Sequence, residues 1–579
     1  MGWHDPARNW RSGPWSLELR DDELADIAFG GRVALRSIRA VVRDRDWDTA
    51  ALVVDDVTED AGSLLLHVHT ADLGAALSGT LRVDASADAL SADLHLTAHR
   101  AFATNRTGLV VLHPPAAAGA PLLVRHADGS HEDTRFPRRI SPHQPVLDIA
   151  GLVWRSGGLD VDVRFAGDVF EMEDQRNWTD ASFKTYSRPL ARPFPYDLAA
   201  GERVRQRVEV RVRAAAGASV PDRDVIELDA GGVFPGIQLG AATAPDPAPA
   251  VAAIGDAVLV ELDLATRSWP AALARAAASG LPLDVRFVLA DDAPDAIRAG
   301  ALALHGIPLA RVAAFAAAGP AAHVSDAAAI AALRDALAQA GITAPVVGGA
   351  RSHFTELNRE RHRLPDDLDG IVFSLTPLFH SRGTEQLVES VAMQRLIAEQ
   401  AVGDAAGRPV HIGPVTLRPR FNNVATTPPP TPTDTDLRAG YGPHLIDADD
   451  ARQDAPELAA WTIAGAAALA VPGVASLTYF EEWGPRGIRR ADGTDRPVAA
   501  ALRALASLSG MRLLHGASPD GLVWAIGAGS SGGDETVLVA NLDRRPRPVT
   551  VRTTGATASI ALDAGGWAQL RTVAEVSGG

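Results

Sequence analysis

Two segments of the chain carry carboxylates beside other groups that can do acid–base chemistry. The first segment, residues 351–358, contains Arg351, His353, Glu356 and Asn358, and the second, residues 479–483, contains Glu481 and Glu482. Two carboxylates on opposite sides of a substrate can hydrolyse it, because one activates water while the other, with a pKa raised by burial, donates a proton. We therefore expect Glu356 and Glu481 to form a catalytic pair, with carboxyl groups within ~5–10 Å.

Glu481 and Glu482 are neighbours at the end of an apolar run that is typical of a strand. Successive residues of a strand point to opposite faces, so only one of the two carboxylates can face a substrate. Alternation groups Glu482 with Phe480, and Glu481 with Tyr479. The pattern does not decide which group faces the site, so Glu482 is the substitute candidate if the register is shifted.

Residues 170–186 form the densest polar run of the chain and contain its only lysine, Lys184, against 54 arginines. Arginine and lysine are interchangeable on a solvated surface but not at a tuned site. We expect the amine to point into the mouth of the barrel or to pair with a nearby acid: Glu171, Glu173, Asp174 or Asp180. Groups at this density favour binding of a polyhydroxylated molecule, although an internally hydrogen-bonded loop is the structural alternative. The predicted substrate contacts in this run are Glu173, Asp174, Asn177, Trp178, Asp180, Lys184 and Tyr186.

Outside this run, the predicted substrate-binding residues are Arg351, His353, Asn358 and His380. Of these, Arg351, His353 and His380, together with Lys184, are candidates to stabilise a developing oxyanion. The chain has no cysteine, and no HExxH-like spacing relates its histidines His353, His380, His411 and His444. Each is therefore expected to be a hydrogen-bonding or surface residue, and neither a metal nor a cofactor is predicted.

The elements that position these residues fall into three regions. Residues 1–228 show short alternating runs separated by Gly, Asp and Ser, which predict an N-terminal antiparallel β-sandwich. Residues 512–579 return to short strands and predict a small C-terminal β-domain. The domain boundaries are therefore expected at 228 and 511.

Between residues 229 and 511, apolar runs alternate with Ala-rich helical runs. The candidate strands are Gly236–Leu239, Ala257–Leu264, Leu283–Leu289, Arg311–Ala316, Ala344–Gly349, Gly370–Thr376, Pro409–Val415 and Val474–Phe480. Eight strands over this length predict a closed (β/α)8 TIM-like barrel, whose catalytic groups follow the strands. A doubly wound sheet is the alternative, but no Gly-rich dinucleotide fingerprint follows a strand. The Pro/Thr-rich residues 425–436 follow the seventh strand and are expected to form a loop on the catalytic face.

The overall charge restricts the partners. A formal net charge of -16 argues against nucleic acid or an anionic membrane as the main partner. The longest apolar stretch, 461–480, is mostly Ala and Gly with Pro472, and lacks the ~18–20 strongly apolar residues of a membrane span. No apolar signal region is visible near the start of the chain. A soluble, cytoplasmic protein with a small-molecule partner is expected.

The polar run Glu171–Tyr186 resembles the D-apionate lactonase family, as do residues 354–358 and 477–481. Weaker similarity lies in Phe29–Arg36 and Val42–Trp47. The resemblance implies an N-terminal β-domain, a TIM-like barrel and a C-terminal β-domain, similar in architecture to glycoside hydrolases with accessory sandwiches. It also implies hydrolysis of the lactone of the branched sugar acid apionate during apiose breakdown.

Three functions are compatible with these observations. The first is a sugar-lactone hydrolase that opens a D-apionolactone-like ring to the aldonate in carbohydrate catabolism, with carboxylates that activate water. The second is a glycoside hydrolase that uses the same two carboxylates, and the third is a non-catalytic carbohydrate-binding protein. Release of acid from a lactone, release of an aryl group from a glycoside, or binding without turnover distinguishes them.

Overall fold

A large antiparallel sheet forms the N-terminal region. The computed structural model of the chain describes residues 3–214, 224–290, 294–317, 322–425, 437–441, 449–529, 534–553 and 556–572. In chain order, the first strands are β1 (Arg8–Ser12), β2 (Trp15–Arg20), β3 (Glu23–Phe29), β4 (Arg32–Arg43), β5 (Val53–Asp60), β6 (Ser63–Thr70), β7 (Leu77–Ala85), β8 (Ala89–Ala98), β9 (Phe102–Thr104), β10 (Arg106–His113), β11 (Pro121–His126), β12 (His131–Arg135), β13 (Val146–Ser156), β14 (Leu159–Ala166), β15 (Phe170–Asp174), β16 (Phe183–Ser187), β17 (Tyr196–Leu198) and β18 (Arg203–Ala214).

The strands of this sheet run in the order β1-β2-β3-β4-β10-β16-β15-β13-β14-β18-β8-β7-β6-β5. Strand β11 pairs with β13 and with β12, while β9 and β17 form a separate pair. The sheet folds over on itself, so that β10 packs against β18 and β4 against β14. Gln206 of β18 accepts a hydrogen bond from the Leu109 amide of β10 at 2.6 Å across the two layers. The alternating burial of β2 follows from this arrangement, because one face of that strand lies in the core.

The central region is a barrel of parallel strands. After β19 (Val225–Glu227) and β20 (Asp229–Val233), strands and helices alternate as β21 (Gly236–Gly240), β22 (Ala257–Asp263), α1 (Trp269–Ala277), β23 (Leu283–Val288), α2 (Pro294–Ala303), β24 (Leu309–Phe315), α3 (Ala327–Gln339), β25 (Gly348–Ala350), α4 (Phe354–Glu360), β26 (Ile371–Leu375), α5 (Thr384–Asp404), β27 (Val410–Val415), α6 (Glu457–Leu469), β28 (Val474–Glu481) and α7 (Pro497–Ala506).

In the described residues, the eight strands β21 to β28 form one parallel sheet in the order β24-β23-β22-β21-β28-β27-β26-β25. Its two edges meet through a parallel bridge between Val312 of β24 and Val346, which lies just before β25. The amide of Val347 donates to the carbonyl of Val312 at 2.9 Å at this seam. The predicted TIM-like barrel is therefore confirmed, with a short seam that makes it nearly closed.

The C-terminal strands form two small sheets, and each sheet also includes one strand that precedes the barrel. They are β29 (Arg512–Ala517), β30 (Val523–Gly529), β31 (Glu535–Asn541), β32 (Arg547–Arg552), β33 (Thr557–Leu562) and β34 (Trp567–Thr572). Strand β20 pairs with β29, and β19 pairs with β32. We therefore propose the domains 1–228, 229–511 and 512–579 with one refinement, which assigns β19 and β20 to the C-terminal domain.

The polar run of residues 170–186 docks the N-terminal sheet onto the barrel. Its short 3-10 turn, Gln175–Trp178, follows β15 and is fully buried. Asn177 accepts a hydrogen bond from Asn358 of α4 at 2.9 Å through its side-chain oxygen, and its carbonyl accepts one from Thr355 at 3.0 Å. These contacts join the sheet to the helix that follows the fifth barrel strand.

A buried ion pair holds this turn in place. Asp174 accepts hydrogen bonds from both Nε and Nη2 of Arg176 at 2.7 Å, and Arg176 also donates to the carbonyl of Pro137 at 2.9 Å. Burial raises the pKa of Asp174, although Arg176 opposes this effect. Both side chains are inaccessible to water, so each charge depends on the other.

Replacement of Asp174 by Ala should destabilise the protein by about 3–5 kcal/mol, because it leaves a buried guanidinium without its counter-charge. Chemical denaturation measures this change in the free energy of unfolding. The control is Asp160→Ala, which removes the partner of Arg155 in an exposed pair that has the same two-bond geometry. Equal effects of the two substitutions would contradict the assigned role of the buried pair.

Candidate active site

A cavity of about 80 Å³ lies at the carboxyl ends of the barrel strands, and we call it the mouth cavity. Its wall combines acidic, guanidinium, hydroxyl and aromatic groups. The principal side chains are Glu261, Asp263, Arg351, Arg420, Tyr441 and Glu481. This is the face at which TIM-barrel enzymes carry their catalytic groups.

Glu261, near the end of β22, holds two arginines in the wall of the mouth cavity. Its carboxylate lies 2.5 Å from Nη2 of Arg351 and 3.2 Å from Nη1 of Arg420. Burial acts to raise the pKa of Glu261, but the two guanidiniums outweigh it and hold the pKa well below its usual range. Glu261 therefore stays ionised and positions both cations.

Sequence reasoning missed Glu261 and Arg420. The signal for Glu261 was an ionisable residue near the carboxyl end of β22, after four apolar residues, where barrel enzymes place their catalytic groups. Arg420 lies in the loop after β27 and carried no comparable signal, because arginine is abundant throughout the chain.

Glu481 reaches the mouth cavity because strand β28 is irregular at its end. The pairing of β28 with β21 shifts its register before Glu481, and Phe480 adopts a positive φ of 53°. A bulge of this kind changes the side-chain alternation, so Phe480 and Glu481 both line the cavity. The alternation that grouped Phe480 with Glu482, opposite Glu481, therefore fails at this point.

The Glu481 carboxylate is fixed by several donors. Oε1 accepts from the Thr243 hydroxyl at 2.7 Å and from Arg486 Nε at 3.0 Å, and Oε2 accepts from the Thr243 amide at 3.0 Å. Such bonds fix the orientation of the carboxyl group. Glu481 thus presents an oriented carboxylate to the cavity.

Glu482 has a different environment and does not line the mouth cavity in the described residues. Burial raises its pKa to about 7, although Arg489 and Arg275 act in the opposite direction. It is nearly inaccessible to water.

Glu356 caps a helix. It lies in the first turn of α4, where Oε2 accepts from the Ser352 hydroxyl at 2.8 Å and from the His353 amide at 3.2 Å. Oε1 accepts from Asn423 at 2.6 Å. Burial raises the pKa of Glu356, while the bond from Ser352 lowers it. Glu356 and Glu481 thus have separate sets of partners, and their catalytic pairing stays a prediction.

A second cavity of about 230 Å³ lies between the N-terminal sheet and the barrel, and we call it the sheet–barrel cleft. It contains five of the predicted substrate-binding residues, namely Glu173, Trp178, Lys184, Tyr186 and His380. The ring of Trp178 stacks on that of Phe379 with a centroid distance of 4.3 Å and an angle of 11°. The cleft thus has an aromatic wall beside ionisable groups.

Lys184 pairs with Glu173, one of the nearby acids that were expected as its partner. The distance from Nζ to Oε2 is 2.5 Å. Burial lowers the pKa of Lys184 to about 8, although Glu173 opposes the shift. The pKa of Glu173 is held well below its usual range, since Lys184, His380 and Arg359 outweigh its burial.

His380 and Asp180 form a second polar pair beside this ammonium. Nδ1 of His380 lies 2.8 Å from the Asp180 carboxylate. Burial lowers the pKa of His380, although Asp180 opposes the shift. Both residues also line a smaller adjoining cavity of about 60 Å³, whose wall includes Lys184.

Asp174, Asn177 and Asn358, which were predicted to contact substrate, lie where the sheet meets the barrel, and their contact with substrate stays a prediction. They are buried, they bond to protein groups, and none of them lines the cavities described above. His353 is also buried, and its ring packs 5.3 Å from that of Trp178. Burial lowers the pKa of His353 to about 3, which leaves it neutral.

No group of three or more potential metal ligands occurs in the described part of the chain. His411 instead bonds to Ser476 at 2.9 Å, while His444 and residues 426–436 of the expected catalytic loop lie outside the described residues. A search of the described helices also found none long and apolar enough to cross a membrane.

The raised pKa of Glu482 predicts a pH-dependent stability. Since the folded state binds this proton more tightly than the unfolded state, stability should fall as pH rises from about 4.5 to about 7. Glu482→Gln removes this dependence and should gain about 3 kcal/mol relative to the parent protein across that window. Denaturation at several pH values measures the difference, and the exposed Glu399→Gln on α5 is the control. A difference in stability between Glu482→Gln and the parent protein that does not change with pH would refute the assigned pKa of Glu482.

Comparisons with known proteins match the sheet and the barrel separately. The family described as D-apionate lactonase, N-terminal domain, matches residues 2–215, and D-apionate lactonase, TIM barrel domain, matches residues 236–510. A D-apionate lactonase of Brucella anthropi is 28% identical over 547 residues, which cover 86% of this chain and 87% of that protein.

Solved structures show weaker likeness. SrfJ from Salmonella typhimurium has a TM-score of 0.40 at 11% identity and covers 63% of this chain and 96% of its own. A GH30 endoxylanase from Clostridium papyrosolvens has a TM-score of 0.38 at 11% identity, with 60% and 99% covered. Scores below 0.5 carry no inference about function. Because the two family models together match more than half of its residues, the chain belongs to the D-apionate lactonase family.

Proposed function

We propose that the chain, a lactonase by its family, opens a D-apionolactone-like sugar lactone to the corresponding aldonate at the mouth cavity. The family membership supports the reaction class. One observation carries the location: an oriented carboxylate, Glu481, and two guanidiniums, Arg351 and Arg420, line one cavity at the catalytic face of the barrel.

The reaction needs a base for water and a stabiliser for negative charge. Glu481 takes a proton from a water molecule, and the oxygen of that water attacks the lactone carbonyl. The carbonyl oxygen becomes an oxyanion. Collapse of this intermediate breaks the bond between the carbonyl carbon and the ring oxygen, and the ring oxygen takes up the proton as the acid opens.

Arg351 is suited to the oxyanion. Its Nη2 is held by Glu261, while its Nε is buried and has no hydrogen-bond partner among the described residues. A buried donor without a partner is costly in the free protein and is satisfied when charge develops on a substrate oxygen. Arg420 adds a second positive charge beside it.

The ring and hydroxyl groups of a sugar lactone match the rest of the wall. Thr243, Thr266 and Ser268 supply hydroxyls, Asp263 supplies a carboxylate, and Trp269 supplies an aromatic face. Sites for polyhydroxylated molecules combine an apolar surface with a few convergent polar groups.

A glycosidase that uses the same carboxylates and a non-catalytic binding protein are the competing functions. Incubation of the purified chain with sugar lactones and with aryl glycosides separates the three. We expect acid release from lactones. Aryl release would favour the glycosidase, and binding without turnover would favour the third function.

Glu481→Gln should lower kcat by roughly 10² or more, because the amide keeps the shape but cannot accept the proton from water. Glu356→Gln tests the predicted pairing in the same assay: a comparable loss would assign delivery of the proton to the ring oxygen to Glu356, and an unchanged kcat would leave that step to Glu481. Glu399→Gln is the matched control on the exposed surface. Unchanged kcat in Glu481→Gln would exclude Glu481 as the base.

Arg351→Lys should lower kcat by roughly 10²–10³ with little change in KM, since the ammonium can still pair with Glu261 but lacks the Nε donor to the oxyanion. Steady-state kinetics on a sugar lactone measure both constants. Arg334→Lys, in an exposed pair with Asp367, is the control. A rise in KM alone would show that Arg351 binds the ground state and transition state equally.

A further inference from the structure

The sheet–barrel cleft carries an excess of positive charge. Four cationic side chains and one carboxylate line it, which gives its wall an excess of three positive charges; these residues are Arg43, Arg106, Lys184, Arg359 and Glu173. Arg43 and Arg106 have no carboxylate within 4 Å in the described part of the chain, as the ion pairs there show. Lys184 and Arg359 share Glu173 as their partner.

The sheet itself brings the two unpaired arginines together. In the antiparallel register of β4 and β10, Arg43 lies directly opposite Arg106. Like charges at directly opposed positions destabilise a sheet. Burial and the nearby charge of Arg106 together lower the pKa of Arg43 to about 10, although Glu173 and Asp180 oppose the shift. An anion bound beside Arg43 and Arg106 would offset this repulsion and stabilise the sheet.

Arg106 is held so that it faces the cleft. It is 5% exposed, its Nη2 donates to the carbonyl of Arg188 at 2.9 Å, and its guanidinium carbon lies 3.7 Å from the Tyr186 ring centroid. Its Nε is buried without a hydrogen-bond partner in the described residues. The Lys184 ammonium lies 5.1 Å from the same ring centroid. Both cations thus border one aromatic surface.

The remaining wall shows what kind of anion fits. Trp47, Trp178, Phe194 and Phe379 supply aromatic surface, and His380 and Gln144 supply polar groups. A bare inorganic anion would leave that aromatic surface and most of about 230 Å³ unfilled. A small molecule with C–H faces, hydroxyl groups and one carboxylate can contact the aromatic, the polar and the cationic groups of this wall.

We propose that the sheet–barrel cleft binds an open-chain sugar acid, with its carboxylate between Arg43, Arg106 and Lys184. An open-chain sugar acid is the chemical class of the proposed product, so the identity of the ligand rests on the proposed function. The existence of an anion site in the cleft does not depend on that function. Arg420 lines the mouth cavity and Val424 lines the cleft. Four residues span at most ~14 Å, so a product released at the mouth lies close to the cleft.

Isothermal titration calorimetry with D-gluconate as the sugar-acid probe tests the proposal without a lactone. D-Sorbitol has the same carbon number and no charge, and inorganic phosphate has charge and no carbon chain. We expect gluconate to bind, sorbitol to bind at least tenfold more weakly, and phosphate to compete weakly. Sorbitol binding equal to that of gluconate, or phosphate binding tighter than gluconate, would overturn the proposal.

Arg106→Gln and Lys184→Met should each weaken gluconate binding at least tenfold, because a charge in contact with the carboxylate is lost. Arg82→Gln, at an exposed position of β7, is the control and should not change it. If either variant fails to fold, the thermal shift of the parent protein decides: gluconate should raise Tm and sorbitol should not. Gluconate affinity that is unchanged in both folded variants, or equal Tm shifts, would refute the site.

Lack of lactonase activity in a protein that still binds gluconate would reject the proposed function and leave the anion site intact. Lactonase activity without gluconate binding would support the proposed function and reject the anion site.

Discussion

Burial of polar groups between the N-terminal sheet and the barrel is the constraint on which the rest of the structure depends. Asp174 and Arg176 form an ion pair that is inaccessible to water, and Asn177 accepts a hydrogen bond from Asn358 of the barrel. Buried polar groups are costly unless every one has a partner, so the two regions can meet in only a few ways. The same turn carries Trp178 into contact with Phe379. Docking therefore also shapes the cleft.

The two cavities on either side of residues 420–424 differ in charge. At the mouth, Glu261 compensates Arg351 and Arg420, and Arg486 compensates Glu481. In the cleft, Arg43 and Arg106 have no carboxylate within 4 Å among the described residues. Under the proposed function, a neutral lactone binds in the first environment and its anionic product suits the second. Opening of a lactone creates one negative charge, so we propose that this difference in charge favours movement of the product from the mouth cavity to the cleft.

Much of the architecture was predictable because it depends on local pattern. The alternation of β2 and β18 and the helical repeats after residue 229 each arise from neighbours within a few residues. The pairing of Lys184 with a nearby acid was predictable for the same reason, since Glu173 lies opposite it in the adjoining strand of one hairpin. By contrast, Glu261, Arg420, Arg43 and Arg106 come from separate strands and loops. In a chain with 54 arginines, no single arginine is conspicuous.

The alternating strands, the order of sheet and barrel, and the polar run that links them all follow from the sequence pattern. Which carboxylate enters the mouth cavity depends on tertiary contacts, because the bulge at Phe480 arises where β28 must match β21. The burial of Asp174, Asn177 and Asn358 where the sheet meets the barrel also depends on such contacts. The register of β4 and β10, which opposes Arg43 to Arg106, is set between strands more than 60 residues apart. Strand pairing over such separations depends on the packing of the whole sheet, which no local pattern records.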